Sequence, residues 1–276
     1  MIRARIAVPG ILLALFVLPA ALPSMLTRRE PFEQDLEAVN QPPSLSAAPG
    51  QATHPLGTDG TGQDLLARLL AGARTSFSLS LGATIAAILL GAFLGIPAGY
   101  FGGVADANLT RTTEVLYGLP HLLLVLFLVA SIGTSPAVLL GVLGAFQGLA
   151  LARILRLEAR AATAQPFVEA ARALGAGHCR ILWRHLLPAL APVIATYGLL
   201  SMPALVLQES FLGFLGFSSS TATLGGLLAE GQETLSVYPW QILVPGVYLT
   251  LVLGALTVLA EGLRSPPRRV RAGTKA

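Results

Sequence analysis

Between Phe77 and Tyr100 there is not one charged side chain. A helix rises 1.5 Å per residue, so about 20 apolar residues cross the roughly 30 Å of hydrocarbon in a bilayer. Ile6–Leu26, Leu116–Ile132, Pro136–Leu151, Leu190–Leu207 and Ile242–Leu263 are further apolar runs. Of 276 residues, 54% are hydrophobic and only 12% are charged, against about 25% charged in a typical soluble domain. So little charge cannot cover the surface of a soluble protein of this size. The sequence therefore predicts an all-α polytopic membrane protein with about six transmembrane helices. It excludes a soluble enzyme, a disordered chain and a disulfide scaffold. The single cysteine, Cys179, has no internal partner and no metal-site spacing.

Two spans need comment. Ile6–Leu26 has a basic start, Arg3 and Arg5, and contains Pro19-Ala20-Ala21, as a cleaved signal peptide would. Its apolar part outlasts the usual 7–15 residues and no clear small-x-small site follows, so a retained helix is expected. The third and fourth runs are short and joined by Gly133-Thr134-Ser135-Pro136, a turn with proline placed to start a helix. Two tilted spans or one re-entrant hairpin both fit.

The net charge of +4 would fit nucleic acid in a soluble protein, but here position decides. With both termini cytoplasmic, fourteen Lys and Arg residues fall inside and four outside, as the positive-inside rule requires. Three regions follow: 1–76, a transmembrane helix and external loop; 77–264, the membrane core; and 265–276, a basic cytoplasmic tail. Within the external loop, Gln41–Gln51 is too rich in Pro, Ser, Ala and Gly to bury a core. Leu65, Leu66, Leu69 and Leu70 have helical spacing and read as a short amphipathic helix on the outer surface, ahead of the second span. A second external segment, Glu209–Trp240, holds the polar tract Ser218–Thr223.

The cytoplasmic loop 152–189 is the most informative. Pro166 opens a helix on which Phe167, Ala170, Ala171 and Leu174 share one face, and Gly175 and Gly177 interrupt it. A second amphipathic stretch, with Ile181, Leu182, Leu186 and Leu187, runs to Pro188, which ends it. The loop reads as helix, joint, helix. A basic helix resting on lipid headgroups is one reading. A docking knob for a cytoplasmic partner is the other, favoured by the small Ala170 and Ala171.

Glu169-Ala170-Ala171, Gly175 and Leu187-Pro188 resemble the EAA loop of ABC-importer permeases. Beyond that loop, the chain resembles the DppC/OppC-type permeases of dipeptide, oligopeptide and nickel importers. The resemblance lies in His54-Pro55-Leu56-Gly57-Thr58-Asp59, Gly99-Tyr100-Phe101-Gly102-Gly103, Arg184-His185-Leu186-Leu187-Pro188 and Glu209 to Gly216, in order over about 54–264. Gln63, Glu114, Ala189, the tract from Ser218 to Gly225 and the region of Gln147-Gly148 depart from the family's usual residues. None touches the EAA core.

The resemblance implies a type I importer permease that couples to cytoplasmic ATPases through Glu169, Ala170, Ala171, Leu174, Gly175, Arg184, His185, Leu187 and Pro188. It implies as partners a sister permease, two ATPase subunits, an extracytoplasmic substrate-binding protein and the bilayer, in a bacterial cytoplasmic (inner) membrane. Nucleic acid is not among them. Peptides are the leading substrate class; nickel or another small solute is the alternative.

The chain has no G-x-x-x-x-G-K-[ST] phosphate loop, so ATP and Mg²⁺ are expected on the partner ATPases and no cofactor in this chain. The four histidines are scattered, without metal-ligand spacing, and read as structural. Polar residues at membrane depth are pathway or gate candidates: Gln147, Thr196, Tyr197, Ser201, Gln208 and Glu209. Interhelical hydrogen bonding competes equally for each. A secondary transporter would place ionisable residues near the midplane in repeated broken helices, and an intramembrane enzyme would need a catalytic pair there. The sequence offers neither. Gly91, Gly95 and Gly99 have the small-xxx-small spacing that permits close helix packing.

Overall fold

Asp64 starts the first long helix, its carboxylate accepting from the Ala67 N–H at 2.9 Å, an N-cap that satisfies one of the free donors of the first turn. In the computed structural model, which describes residues 30–44, 53–218 and 222–263, this helix, α1, runs without a break over Leu65–Phe101. The amphipathic helix expected on the outer surface is therefore not separate. No proline stands in 71–76, Gly72 stays helical where it packs against Thr223, and Leu65, Leu69 and Leu70 are buried against protein instead of lying on lipid. The run Ile6–Leu26, most of Gln41–Gln51 and the tail 265–276 lie outside the described residues.

After Gly102, in the left-handed region at φ +64°, come α2 (Gly103–Tyr117) and α3 (His121–Ile132), bent by 86° from each other. The expected third span, Leu116–Ile132, is thus α3 with the last residues of α2, broken at Gly118-Leu119-Pro120, where proline disfavours a helical residue before it. Ser135 caps α4 (Pro136–Thr163). Then follow α5 (Pro166–Ala173), α6 (His178–Phe214), α7 (Leu224–Glu233) and α8 (Trp240–Leu263). Among the described residues, α1, α4, α6 and α8 are each long and apolar enough to cross a membrane, and the bent pair would make a fifth crossing.

The centre of the fold is the contact of α1 with α4. A Cβ on Gly82 would lie 2.6 Å from Leu140, one on Gly91 2.9 Å from Leu151, one on Gly95 2.4 Å from the Ala152 carbonyl oxygen and one on Gly99 2.2 Å from that of Arg156. From the α4 side, Gly144 meets Ala86 and Gly148 meets Leu90. The offset between partners stays nearly constant, so the two helices run parallel. Gly91, Gly95 and Gly99 serve packing.

Parallel helices require the chain to return between them. Leu109 of α2 packs with Ala152, Tyr117 reaches the Phe146 carbonyl at 3.5 Å, and Val125 and Val129 of α3 share a cluster with Leu139 and Leu143. The bent pair thus walks back along α4 to its start.

α6 lies antiparallel to α1, with Leu190 clustered near Ile96, Gly198 against Ile88 and Leu205 near Leu79. The proline expected to end its first stretch does not do so. Residues Leu182–Leu186 form a π-turn, and the Leu187 N–H bonds to the Leu182 carbonyl. Pro188 has no N–H for the carbonyl four residues back and would crowd it. The wider turn just before it carries the helix through.

Gly95→Leu is expected to cost more than the about 1–3 kcal/mol of ordinary overpacking, because a backbone carbonyl blocks the new side chain. Gly141→Leu on α4, where nothing lies within 4 Å, serves as control. Melting temperatures of the two purified variants in detergent should differ clearly; equal losses would contradict the assigned packing.

Candidate functional site

α5 is only eight residues long, with Pro166 in its first turn, where no N–H is needed. Glu169 in the first turn and Arg172 in the last complement the helix dipole. Val168 and Ala171 are buried in a cluster with Tyr100, Leu155, Ala159, Ile181 and Leu186. Phe167, Glu169, Ala170 and Leu174 are exposed, Leu174 to 88%. The face expected to hold Phe167, Ala170, Ala171 and Leu174 together is therefore split, and Ala171 is turned inward. Apolar residues at 167, 168, 170, 171 and 174 cover too much of so short a helix for periodicity to choose the buried side.

α5 ends in a Schellman motif: the Gly175 N–H bonds to the Arg172 carbonyl at 2.9 Å and that of Ala176 to the Ala171 carbonyl at 3.0 Å. Gly175 sits at φ +79°, and no atom lies within 4 Å of where a Cβ on Gly175 or Gly177 would be. The two glycines face outward, while Ala176 between them packs against the buried cluster. Beyond it, Arg184 and Pro188 are exposed, His185 and Leu187 half-buried, and Leu186 fully buried. The structure brings Glu169, Ala170, Leu174, Gly175 and Arg184 to the surface of one helix-joint-helix element. α6 carries that element directly into a membrane-length helix.

The six polar residues singled out at membrane depth do not form one cluster. Ser201 is buried and donates to the Gly198 carbonyl at 2.7 Å, and Thr196 donates to the Pro192 carbonyl at 2.8 Å. Glu209 is buried and hydrogen-bonded to Ser76 and Ser210. Ser76 in turn accepts from the Leu224 N–H at 3.2 Å, so Glu209 belongs to the junction of α1, α6 and α7 inside the subunit. Tyr197 packs against the inner cluster, and Gln147 and Gln208 are half-buried.

Sequence reasoning missed a second construction, at the other end of α1. Arg68 forms a two-pronged pair with Glu230 of α7 (2.6 and 2.9 Å) and also donates to Asp59. His54 Nδ1 is hydrogen-bonded to Asp64 at 2.8 Å, and the Gln241 amide donates to Asn40 at 2.8 Å and to the Thr58 carbonyl at 3.2 Å. These bonds clamp residues 30–44 and 53–64 onto α1, α7 and α8. His54 and Asp59 stand in the motif that begins at His54, but an ion pair spanning 162 positions has no local signature.

The family described as "Binding-protein-dependent transport system inner membrane component" matches residues 88–265. Over 223 residues the chain is 34% identical to the oligopeptide transport system permease protein OppC of Haemophilus influenzae, covering 80% of this chain and 72% of that one. It is also 34% identical over 265 residues to the dipeptide transport system permease protein DppC of Bacillus subtilis, covering 94% and 80%. For OppC of Escherichia coli the identity is 31% over 256 residues, covering 92% and 82%. The chain belongs to the OppC/DppC family of ABC-importer permeases. As a permease of that family it is a transport subunit rather than an enzyme. The match with the Bacillus protein also extends beyond the motif-bearing region 54–264.

Arg68→Met leaves Asp59 buried without its cation, and removing one partner of a buried pair costs about 3–5 kcal/mol. A large fall in melting temperature is expected, with an added Asp59→Asn change restoring part of it. A melting temperature like that of the parent would show that the clamp adds no stability.

Proposed function

We propose that this permease imports di- and oligopeptides, forming the translocation pathway with a sister permease and receiving its drive from two cytoplasmic ATPases through residues 166–188. One observation carries the reading. The α5–Gly175–α6 element presents exposed Glu169, Ala170 and Leu174 beside the glycine joint, and its second arm continues into a membrane-length helix. A partner that grips α5 can therefore move α6. The peptide substrate rests on the relatives, which are peptide-system permeases.

In this reading the chain crosses a bacterial inner membrane six times with both termini cytoplasmic. Ile6–Leu26 is the first crossing, and α2 with α3 form one broken crossing, because they connect the far end of α1 to the start of a helix parallel to it. The clamp around Arg68 then lies outside, where an extracytoplasmic binding protein delivers substrate. The docking element lies inside, among Arg153, Arg156, Arg160, Arg172, Arg180 and Arg184, as positive-inside charge requires. ATP and Mg²⁺ sit on the partner subunits. Glu169, Ala170, Leu174, Arg184 and His185 offer the contacts, while Ala171, Leu187 and Pro188 shape the arms beneath them. Coupling demands that these contacts differ between the ATP-bound and free states, since a partner shifts an equilibrium only through differential affinity.

Gly175→Trp tests the lever. A non-glycine residue in left-handed conformation costs about 1–2 kcal/mol, enough to weaken docking by about tenfold. The variant should insert normally, lose co-purifying ATPase and fail in ATP-driven uptake of labelled peptides into proteoliposomes. Normal uptake would sink the assignment.

A further inference from the structure

Tyr100 lies in the last turn of α1, is only 7% exposed, and touches both arms of the docking element. Its hydroxyl is hydrogen-bonded to Nδ1 of His178, the first residue of α6, at 2.9 Å. Arg172 of α5 holds its guanidinium carbon 5.4 Å from the Tyr100 ring centroid, within cation–π range. The ring also packs in the cluster that contains Val168 and Ala171 from α5 and Ile181 and Leu186 from α6. A Cβ on Gly175 or Gly177 would meet nothing, so the joint holds the arms through its capping hydrogen bonds and Ala176, which packs against the same cluster. The contacts on Tyr100 brace both arms from outside the joint.

α1 does not yield alone at this end. Gly95 and Gly99 press on the backbone of α4 at Ala152 and Arg156, so a push on Tyr100 is a push on the α1–α4 pair. Movement of α5 also reaches α4 directly, through the short link Ala164-Gln165 and the packing of Val168 and Ala171 with Leu155 and Ala159; Tyr100 adds α1 and ties it to both arms.

From this geometry we propose that Tyr100 is a second coupling point, a positioning residue that holds the two arms at a set angle and passes their movement to the α1–α4 pair. The inference rests on residues 166–188 being the ATPase-docking element.

The test uses the chain assembled with its sister permease and ATPases in proteoliposomes, and reads peptide taken up per ATP hydrolysed. Tyr100→Phe keeps the ring and loses one hydrogen bond, and is expected to lower the ratio about two- to tenfold. Tyr100→Leu also loses the Arg172 contact, and is expected to lower it further while ATPase still co-purifies. An unchanged ratio in Tyr100→Leu would overturn the proposal. If that variant does not assemble, spin labels at the exposed positions Ala173 on α5 and Ala189 on α6, neither of them among the proposed ATPase contacts, report the arm angle in the Tyr100→Phe complex. A broadened distance distribution supports the proposal, and an unchanged one overturns it. A parent complex without ATP-driven uptake would instead fail the importer reading itself, so the two failures are distinguishable.

Discussion

Inside a bilayer two apolar helices gain nothing from leaving water, because lipid tails are as apolar as leucine. What holds them together is close van der Waals contact, which needs small residues where the backbones meet. The parallel pair α1–α4 meets that condition at Gly82, Gly91, Gly95 and Gly99 on one side and Gly144 and Gly148 on the other. Everything else in the fold is arranged around this seam. α6 lies antiparallel on the pair, α5 packs under its C-terminal end, and α7 and α8 close over its N-terminal end with Leu224, Leu227, Tyr248 and Val252 in one cluster with Leu69, Ala73 and Phe77.

The seam also dictates the least regular parts. Two parallel neighbours in sequence need a connection as long as themselves, and α2 and α3 supply it with an 86° bend. α2 carries Asp106, which pairs with Arg156 at 3.2 Å, and Arg156 also donates to Thr110. Polar contacts therefore fasten α2 to the C-terminal end of α4, whereas α3, apolar from Leu122 to Ala130, follows α4 back through Val125 and Val129. The bend lies where polar packing gives way to apolar packing.

How much of this could be read from the sequence depends on the range of the interaction. The spans were legible because a long uncharged run is a local property, and Ile242–Leu263 agrees with α8 to within two residues. The joint at Gly175 was legible because two glycines, Gly175 and Gly177, follow a short helix closely, and a glycine just past a helix end takes the left-handed cap without strain. The start of α1 was not, since Leu65–Leu70 has the same periodicity whether it lies on lipid or is buried by α7 and α8. Pro188 misled for a related reason: proline obstructs a regular α-helix, but one wider turn removes the obstruction. The inward side of α5 and the clamp on Arg68 depend on partners far along the chain, and no window of neighbouring residues contains them.

The two ends of α1 are fastened by different chemistry, and the difference bears on which end can move. At the N-terminal end Arg68 is buried with Asp59 and His54 with Asp64, and separating such groups exposes each to a desolvation penalty. That end resists small displacements. At the C-terminal end Tyr100 is held by Arg172 over its ring, one hydrogen bond to His178 and a buried apolar cluster. Between them the helix is stiffened along its length by α4. In the proposed coupling, movement delivered near Tyr100 therefore meets an α1–α4 pair held there by close backbone packing and not by a buried ion pair.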